Sequence, residues 1–221
     1  MLHENFRLIN EEFNADHVLP EQMDALLELG WRHFGTHFFR YNVGFLEVDL
    51  RFVIPLRIRL KDFSFSKSQR KVLRKNQDLD VTISPAEITE EVEDLFDRHK
   101  ARFDHSVPNS IFDFMSFEPA TVPCEAKEIR VTRNGELVAL SYFDVGISST
   151  SGIYGMFDPA ITDRSLGIFT MLKEIEYSIG TGREFYYLGY AYEGESFYDY
   201  KKRFRASEAF DWDSDWTDFS G

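Results

Sequence analysis

The dipeptide Asn134-Gly135 lies between two runs of alternating and β-branched residues, 128–132 and 137–143. Asn-Gly readily adopts the positive φ angles that a two-residue hairpin turn requires, and the flanking runs have the period of strands. A hairpin is therefore fixed at this point. A third strand is expected over 152–157, ending at Asp158-Pro159. A helix follows over 164–180, with Leu166, Phe169, Leu172 and Ile175 apolar at helical spacing. Residues 185–190 read as another strand, and 198–204 as a short helix. A chain that folds in this order builds a mixed sheet with a helix crossing over one face.

The first half reads differently. Residues 20–29 suit a short helix with Met23, Leu26 and Leu27 on one face, and Gly30 stands where a left-handed cap is needed. Residues 31–40 look extended and aromatic. Leu56, Ile58 and Leu60 alternate with Arg57, Arg59 and Lys61, which places the three bases on one strand face. Ser66-Lys-Ser-Gln69 has capping-box spacing and opens a helix to about Asn76, with Lys67, Arg70 or Lys71, and Arg74 along one stripe and Leu73 on the buried side. Ser84-Pro85-Ala86-Glu87 has the form of another helix start, for a helix running to 103 with Ile88, Val92, Leu95, Phe96 and a core His99 inward.

Charge is distributed unevenly. Residues 57–75 hold eight of the 25 Lys and Arg residues and a single acid, net +7 in a chain that is net −13. A concentrated basic element in an acidic background is a local address for a phosphate-bearing partner. A solvated helix face balanced by acids nearby in space fits the same charge run. No apolar run is long enough to span a membrane, and residues 1–7 lack the form of a secretory signal. The lone cysteine, Cys124, forms no intrachain disulfide and reads as an incidental thiol; one cysteine and six scattered histidines give no convincing metal-ligand set. A cytoplasmic protein with no bound metal is expected.

Hairpin, strand, helix, strand, helix is the element order of the Gcn5-related acyltransferase fold, in which the helix after the third strand points its N-terminus at a phosphate. Here that turn reads Arg164-Ser165-Leu166-Gly167-Ile168-Phe169. Arg164 and Gly167 match an acetyl-CoA fingerprint, but Phe169 replaces the small residue that lets a pyrophosphate approach. The surrounding motifs are Tyr154-x-x-Phe157-Asp158-Pro159, Ser165-Leu166-Gly167, Lys173-Glu-Ile175, Phe185-Tyr-Tyr187-Leu-Gly189-Tyr190, Tyr200-Lys201, Phe204 and Glu208. This set resembles the C-terminal domain of the aminoacyl-tRNA–protein transferases, the arginyl-transferases and their bacterial leucyl-transferase relatives. Earlier segments agree in order: Leu29-Gly-Trp-Arg32 with Gly35, Ile54-Pro-Leu-Arg57, and Phe63 with Ser66-Lys67-Ser-Gln69-Arg70 and Asn76. The resemblance spans most of 18–210. The family's N-terminal cysteine cluster is absent, since 41–52 contains no cysteine, and Phe197-Tyr198 and Ala191-Tyr192 depart from its pattern.

The resemblance implies an α+β chain: an N-terminal region (1–84) carrying the basic strand–helix element, a Gcn5-related N-acyltransferase-like domain (85–210) with a mixed sheet flanked by helices, and an acidic tail (211–221) that frays unless Trp212 and Trp216 pack. It implies an aminoacyltransferase that moves an arginyl or leucyl group from aminoacyl-tRNA to a protein N-terminus, marking it for N-end-rule degradation. A CoA-dependent N-acyltransferase and a non-catalytic RNA- or protein-binding member are the alternatives. No cofactor beyond the tRNA co-substrate is implied, and neither membrane nor DNA is a partner. Asp144 and Glu208 are the acids to test for proton transfer or for recognising the aminoacyl amine, with a structural role for each as the alternative. Tyr154, Phe157, Asp158, Ser165, Leu166, Gly167, Tyr187, Gly189, Tyr190 and Tyr200 would line the substrate site. Arg57, Lys67, Gln69, Arg70, Arg74, Asn76 and Lys201 would bind tRNA.

Overall fold

A computed structural model describes residues 7–46, 49–104 and 107–220. Residues 1–6, most of the stretch read above for a secretory signal, lie outside it, as do 47 and 48 of the cysteine-free segment and Gly221 of the tail.

The chain begins with β1 (Asn10–Asn14), α1 (Pro20–Glu28), β2 (Arg32–Phe34) and β3 (His37–Tyr41). The three strands form a small antiparallel sheet in the order β1-β3-β2. Helix α1 ends as its sequence expects, with Gly30 at φ +80°. Its Asp24 accepts from Ser148 N–H at 2.8 Å and from the Ser149 hydroxyl at 2.5 Å, which docks this unit on the main sheet.

Strands β4 (Val43–Leu46) and β5 (Asp49–Arg59) pair with each other, and a 3₁₀ turn follows at Leu60–Asp62. Helix α2 (Lys67–Lys75) starts with the expected capping box: Gln69 N–H donates to Ser66 Oγ, and Ser66 N–H donates to Gln69 Oε1 at 2.8 Å. Strand β6 (Asp80–Pro85), helix α3 (Glu90–Lys100), and strands β7 (Ala126–Arg133), β8 (Glu136–Val145) and β9 (Ser149–Phe157) follow. Then come α4 (Leu166–Gly180), β10 (Phe185–Tyr192), a 3₁₀ helix at Phe197–Arg203, β11 (Ser207–Phe210) and β12 (Trp216–Asp218). Among the described residues the large sheet runs β12-β11-β5-β10-β9-β8-β7-β6. The fold is α+β, a mixed sheet flanked by helices, as expected. Residues on both sides of position 84/85 share this sheet, because β5 sits between β11 and β10.

The Asn134-Gly135 turn forms with both residues at positive φ, +53° and +85°. Leu140, Tyr142 and Met156 face α3, while Ala139, Phe143 and Val145 face α4 with Leu166 and Phe169. Phe169 is thus a core residue, 2% exposed.

Two expectations are corrected. Ser84 and Pro85 end strand β6 instead of opening α3, which begins after Thr89. Pro85 lies at the end of an edge strand, where its missing N–H is tolerated, and the Glu87 N–H is satisfied by the buried Glu128 carboxylate at 3.1 Å. The final helix is 3₁₀, Phe197–Arg203. The described tail takes the packed alternative: β12 pairs with β11, and the Trp212 and Trp216 indoles donate to Val53 O (2.8 Å) and Glu28 O (2.9 Å).

Candidate active site

Strands β9 and β10 run parallel, but pair only through Phe185–Ser149, Tyr186–Thr150 and Tyr187–Ser151. Beyond that point β10 bulges at Gly189 (φ +83°) and continues along β5. The two strands therefore part, and their unpaired edges flank an opening through the sheet. The bulge needs glycine both for its backbone angle and because a Cβ there would stand 3.3 Å from Lys201 Nζ.

Polar groups reach this opening from both faces. From the side of the small sheet, Arg32 donates to the Ser151 hydroxyl and to Gly152 O. Lys201, on the 3₁₀ helix, donates to Tyr190 O at 3.0 Å. From the α4 side, the buried Glu174 accepts from Tyr186 Oη at 2.5 Å. A Cβ on Gly152 would meet Tyr186 Oη at 2.9 Å and Glu174 Oε2 at 3.1 Å, so Gly152 separates Arg32 from Glu174 by the thickness of one backbone. Burial pushes the Glu174 carboxyl up to about 7, and it pushes the Lys201 ammonium down to about 7, assisted by Arg32. Both groups thus change charge near neutrality.

Aromatic rings line the mouth. The Tyr154 ring stacks on Phe114 with centroids 4.0 Å apart, and its buried hydroxyl has no hydrogen-bond partner among the described residues. The Arg102 guanidinium lies over Phe157 at 4.7 Å and Phe197 at 5.7 Å. His99 is the expected core histidine: its Nδ1 lies 3.0 Å from Phe157 N and O, and burial pushes the ring down to about 4.

Residues expected at the substrate site divide into two groups. Tyr154, Phe157, Gly189, Tyr190 and Tyr200 surround the opening or its mouth, although Tyr190 spends its hydroxyl on Gly30 O at 2.7 Å. Leu166 is 1% exposed and packs in the core. Gly167 accommodates Phe157, whose ring would lie 3.1 Å from a Cβ. Asp158 pairs with Arg98 at 3.5 Å, Tyr187 packs against α1 residues with its hydroxyl 3.3 Å from Arg57, and Ser165 caps α4 in the left-handed region at φ +53°. Arg164 of the half-matched fingerprint pairs with Asp78 at 2.6 Å.

Both acids singled out for proton transfer are already committed. The Asp144 oxygens each lie 3.0 Å from His33 Nε2, and Cys124 Sγ donates to Asp144 at 3.3 Å. His33 Nδ1 lies 2.8 Å from Gly35 O, so both ring nitrogens face acceptors. Cys124 is therefore no incidental thiol: it is buried, and burial with the Asp144 charge raises its pKa strongly. His33, Cys124 and Asp144 place possible metal-ligand atoms within 4.8 Å of one another, but the hydrogen bonds among them already engage those atoms. Glu208 is 5% exposed; it accepts from Arg57 Nε at 2.7 Å and from Arg59 Nη1.

The basic element also divides. Arg57 is 7% exposed, sandwiched between Phe185 (3.9 Å) and Trp216 (4.4 Å) and paired with Glu208, so it is structural and does not present itself to phosphate. Arg59 pairs with Asp62, Asp218 and Glu208, and Lys61 lies in the 3₁₀ turn, so the strand presents no free cationic face. Gln69 is consumed by the capping box, and Asn76 donates to Val72 O and Arg164 O, tying α2 to the start of α4. Helix α2 keeps Lys67, Arg70, Lys71 and Arg74 exposed, and among the described residues none of the four forms an ion pair; Arg70 donates to Phe65 O. Lys201 belongs to the opening, away from this stripe.

The sequence reading passed over Arg32 and Glu174 as site residues. Glu174 carried a signal: Thr170, Glu174 and Ser178 form a buried polar i, i+4, i+8 stripe in an otherwise apolar helix.

Residues 91–211 match the family described as "Arginine-tRNA-protein transferase, C terminus". The chain belongs to this family. An aspartate/glutamate leucyltransferase of Marinobacter nauticus is 32% identical over 92% of the chain and 85% of its own length. One from Helicobacter hepaticus is 27% identical over 89% of the chain and 82% of its length. The arginine-tRNA–protein transferase relationship makes the chain an aminoacyltransferase. Among solved structures, the C-terminal domain of a putative lysylphosphatidylglycerol synthetase from Agrobacterium fabrum superposes with a TM-score of 0.53 at 15% identity. That match covers 84% of this chain and 56% of the other, so the chain spans little more than half of it, and the likeness is one of fold.

Proposed function

We propose that this transferase moves a leucyl group from aminoacyl-tRNA to the α-amine of cytoplasmic proteins that begin with Asp or Glu, marking them for N-end-rule degradation. The names of the relatives that match over nearly the whole chain favour leucyl over arginyl. The geometric observation that carries the reading is the opening between β9 and β10, which the Glu174 carboxyl approaches beside Gly152 and the Lys201 ammonium beside Gly189, both poised near neutrality.

The neutral α-amine attacks the ester carbonyl carbon. The ester C–O bond breaks, the amide C–N bond forms, and the amine proton ends on the released ribose hydroxyl of tRNA. The ester is already activated, so the enzyme contributes positioning, a proton route and stabilisation of the oxyanion. No metal or further cofactor is needed for this transfer. Glu174, held by Tyr186, is the carboxyl suited to take and return the proton, since Asp144 is engaged by His33 and Cys124 and Glu208 is paired with Arg57 and Arg59. The buried, unpartnered Tyr154 hydroxyl is suited to a hydrogen bond with a substrate. Arg102 and its rings form a platform for the terminal nucleotide. The unpaired stripe of α2 is suited to acceptor-stem phosphates in a salt-dependent, sequence-blind way.

The test is transfer by purified protein with each charged tRNA in turn and peptides beginning with each residue. Leucyl transfer to Asp and Glu peptides is expected. Transfer only from acetyl-CoA, or from no charged tRNA, contradicts the reading.

A further inference from the structure

Buried and half-buried cations in this protein are paired with acids almost everywhere. Arg57 and Arg59 hold Glu208, Arg130 holds Glu91 and Glu128, and Arg164 holds Asp78. Arg32 and Lys201 break that pattern, as does the half-buried Arg183, which donates to Thr181 O. Arg32 donates only to the neutral Ser151 hydroxyl and Gly152 O, and Lys201 only to Tyr190 O. Neither forms an ion pair among the described residues.

The two heads also converge. A Cβ on Gly189 would lie 3.3 Å from Lys201 Nζ and 3.7 Å from Arg32 Nε. Bringing two cations out of water beside each other is costly unless an anion joins them. Each is held below its usual pKa by burial, and Lys201 further by Arg32. Among the described residues no acid bonds either cation; the carboxylates whose field reaches Arg32, Asp144 and Glu174, are hydrogen-bonded by His33 and Tyr186 instead. Such a pair, with no directly bonded carboxylate, offers an anion-binding position that a ligand fills.

The choice of anion follows from location. The pair sits where β9 and β10 part, at the depth of Gly152 and Gly189, while the unpaired bases suited to tRNA phosphates lie on the exposed face of α2. A carboxylate is a small planar anion that bridges a guanidinium edge and an ammonium. We infer that Arg32 and Lys201 form the subsite for the side-chain carboxylate of the acceptor protein's N-terminal Asp or Glu. This rests on the transferase reading above. The pair then sets acceptor specificity: an N-terminal Asn or Gln leaves both cations unpaired and is rejected.

The experiment compares kcat/KM for otherwise identical peptides beginning with Asp, Asn, Glu and Gln, using leucyl-tRNA and the wild type, Arg32→Gln, Arg32→Lys, Lys201→Met and Lys201→Arg proteins. Binding of leucyl-tRNA and thermal melting are measured on each. The wild type is expected to prefer acidic over amide N-termini by about 100-fold, in the range for a buried charged contact. In Lys201→Met and Arg32→Gln that ratio falls towards one, with tRNA affinity unchanged. Lys201→Arg and Arg32→Lys, which keep the charge, recover part of the discrimination and answer for any loss of folding. An unchanged Asp-to-Asn ratio in all four variants overturns the proposal. So does a loss of tRNA binding with the ratio intact, which assigns the pair to the donor. Absence of transfer by the wild type from any charged tRNA overturns the transferase reading itself, and the subsite with it.

Discussion

Replacing Glu208 with Gln separates a structural acid from a catalytic one. The carboxylate joins β11 to β5 by accepting from Arg57 and Arg59, and both Glu208 and Arg57 are nearly inaccessible, at 5% and 7%. The substitution keeps the shape and removes the charge. Arg57 then remains stacked between Phe185 and Trp216 without its anion. Breaking a buried pair from one side costs about 3–5 kcal/mol. At roughly 2–4 °C per kcal/mol for a chain of this size, the melting temperature drops by about 10 °C. The assay is thermal unfolding by circular dichroism with leucyl transfer measured at 20 °C on the same preparation. The folded fraction at 20 °C should retain most of its transfer activity. The double variant Arg57→Met/Glu208→Leu should recover part of the loss, because a well-packed apolar pair often equals a buried ion pair, and the departure from additivity reports the coupling. A Glu208→Gln protein that melts like the wild type yet loses transfer 100-fold would refute this reasoning.

Lys71→Glu/Arg74→Glu should weaken tRNA binding sharply and flatten its salt dependence by about one unit of slope per lost phosphate contact, with under about 0.5 kcal/mol change in stability; Leu73→Glu, on the half-buried side, should damage folding first. A filter-binding titration against salt checks this. The Glu174 carboxyl, raised from 4.5 to about 7 on folding, contributes stability that is full below pH 4.5 and is lost as pH rises through 7. Glu174→Gln should remove that fall from the denaturation midpoint measured across pH 4 to 8, and should slow transfer. Elemental analysis should find no stoichiometric metal, because His33, Cys124 and Asp144 already bond one another; a 1:1 metal that Cys124→Ala abolishes would contradict this.

Much of the fold could be read from local chemistry. The Asn134-Gly135 turn, the Ser66–Gln69 capping box and the Gly30 cap each act within a few residues, and each forms where the sequence places it. Ser84-Pro85 has the local form of a helix start, but a distant carboxylate, Glu128, takes the Glu87 N–H and the edge strand continues through Pro85. Residue period located the basic strand face, but not the fate of Arg57, which depends on a partner 151 positions away. The same limit hid the site. Arg32 and Lys201 converge beside the β10 bulge at Gly189, and Glu174 approaches Arg32 from the other side of Gly152. Motif resemblance placed the right segments together, whereas only the three-dimensional arrangement separates Glu208 and Asp144, whose oxygens are engaged by Arg57, Arg59, His33 and Cys124, from Glu174, which faces the opening.

The central claim is that a leucyl group passes from tRNA to an N-terminal α-amine. The most direct measurement is the mass of an Asp-initiated peptide after incubation with the purified protein and leucyl-tRNA, with fragmentation to locate the added group. The account predicts a single added leucyl residue at the α-amine, no product when that amine is acetylated beforehand, and no effect of acetyl-CoA. An unmodified peptide, or an acetyl group gained from acetyl-CoA in place of leucine, would contradict it.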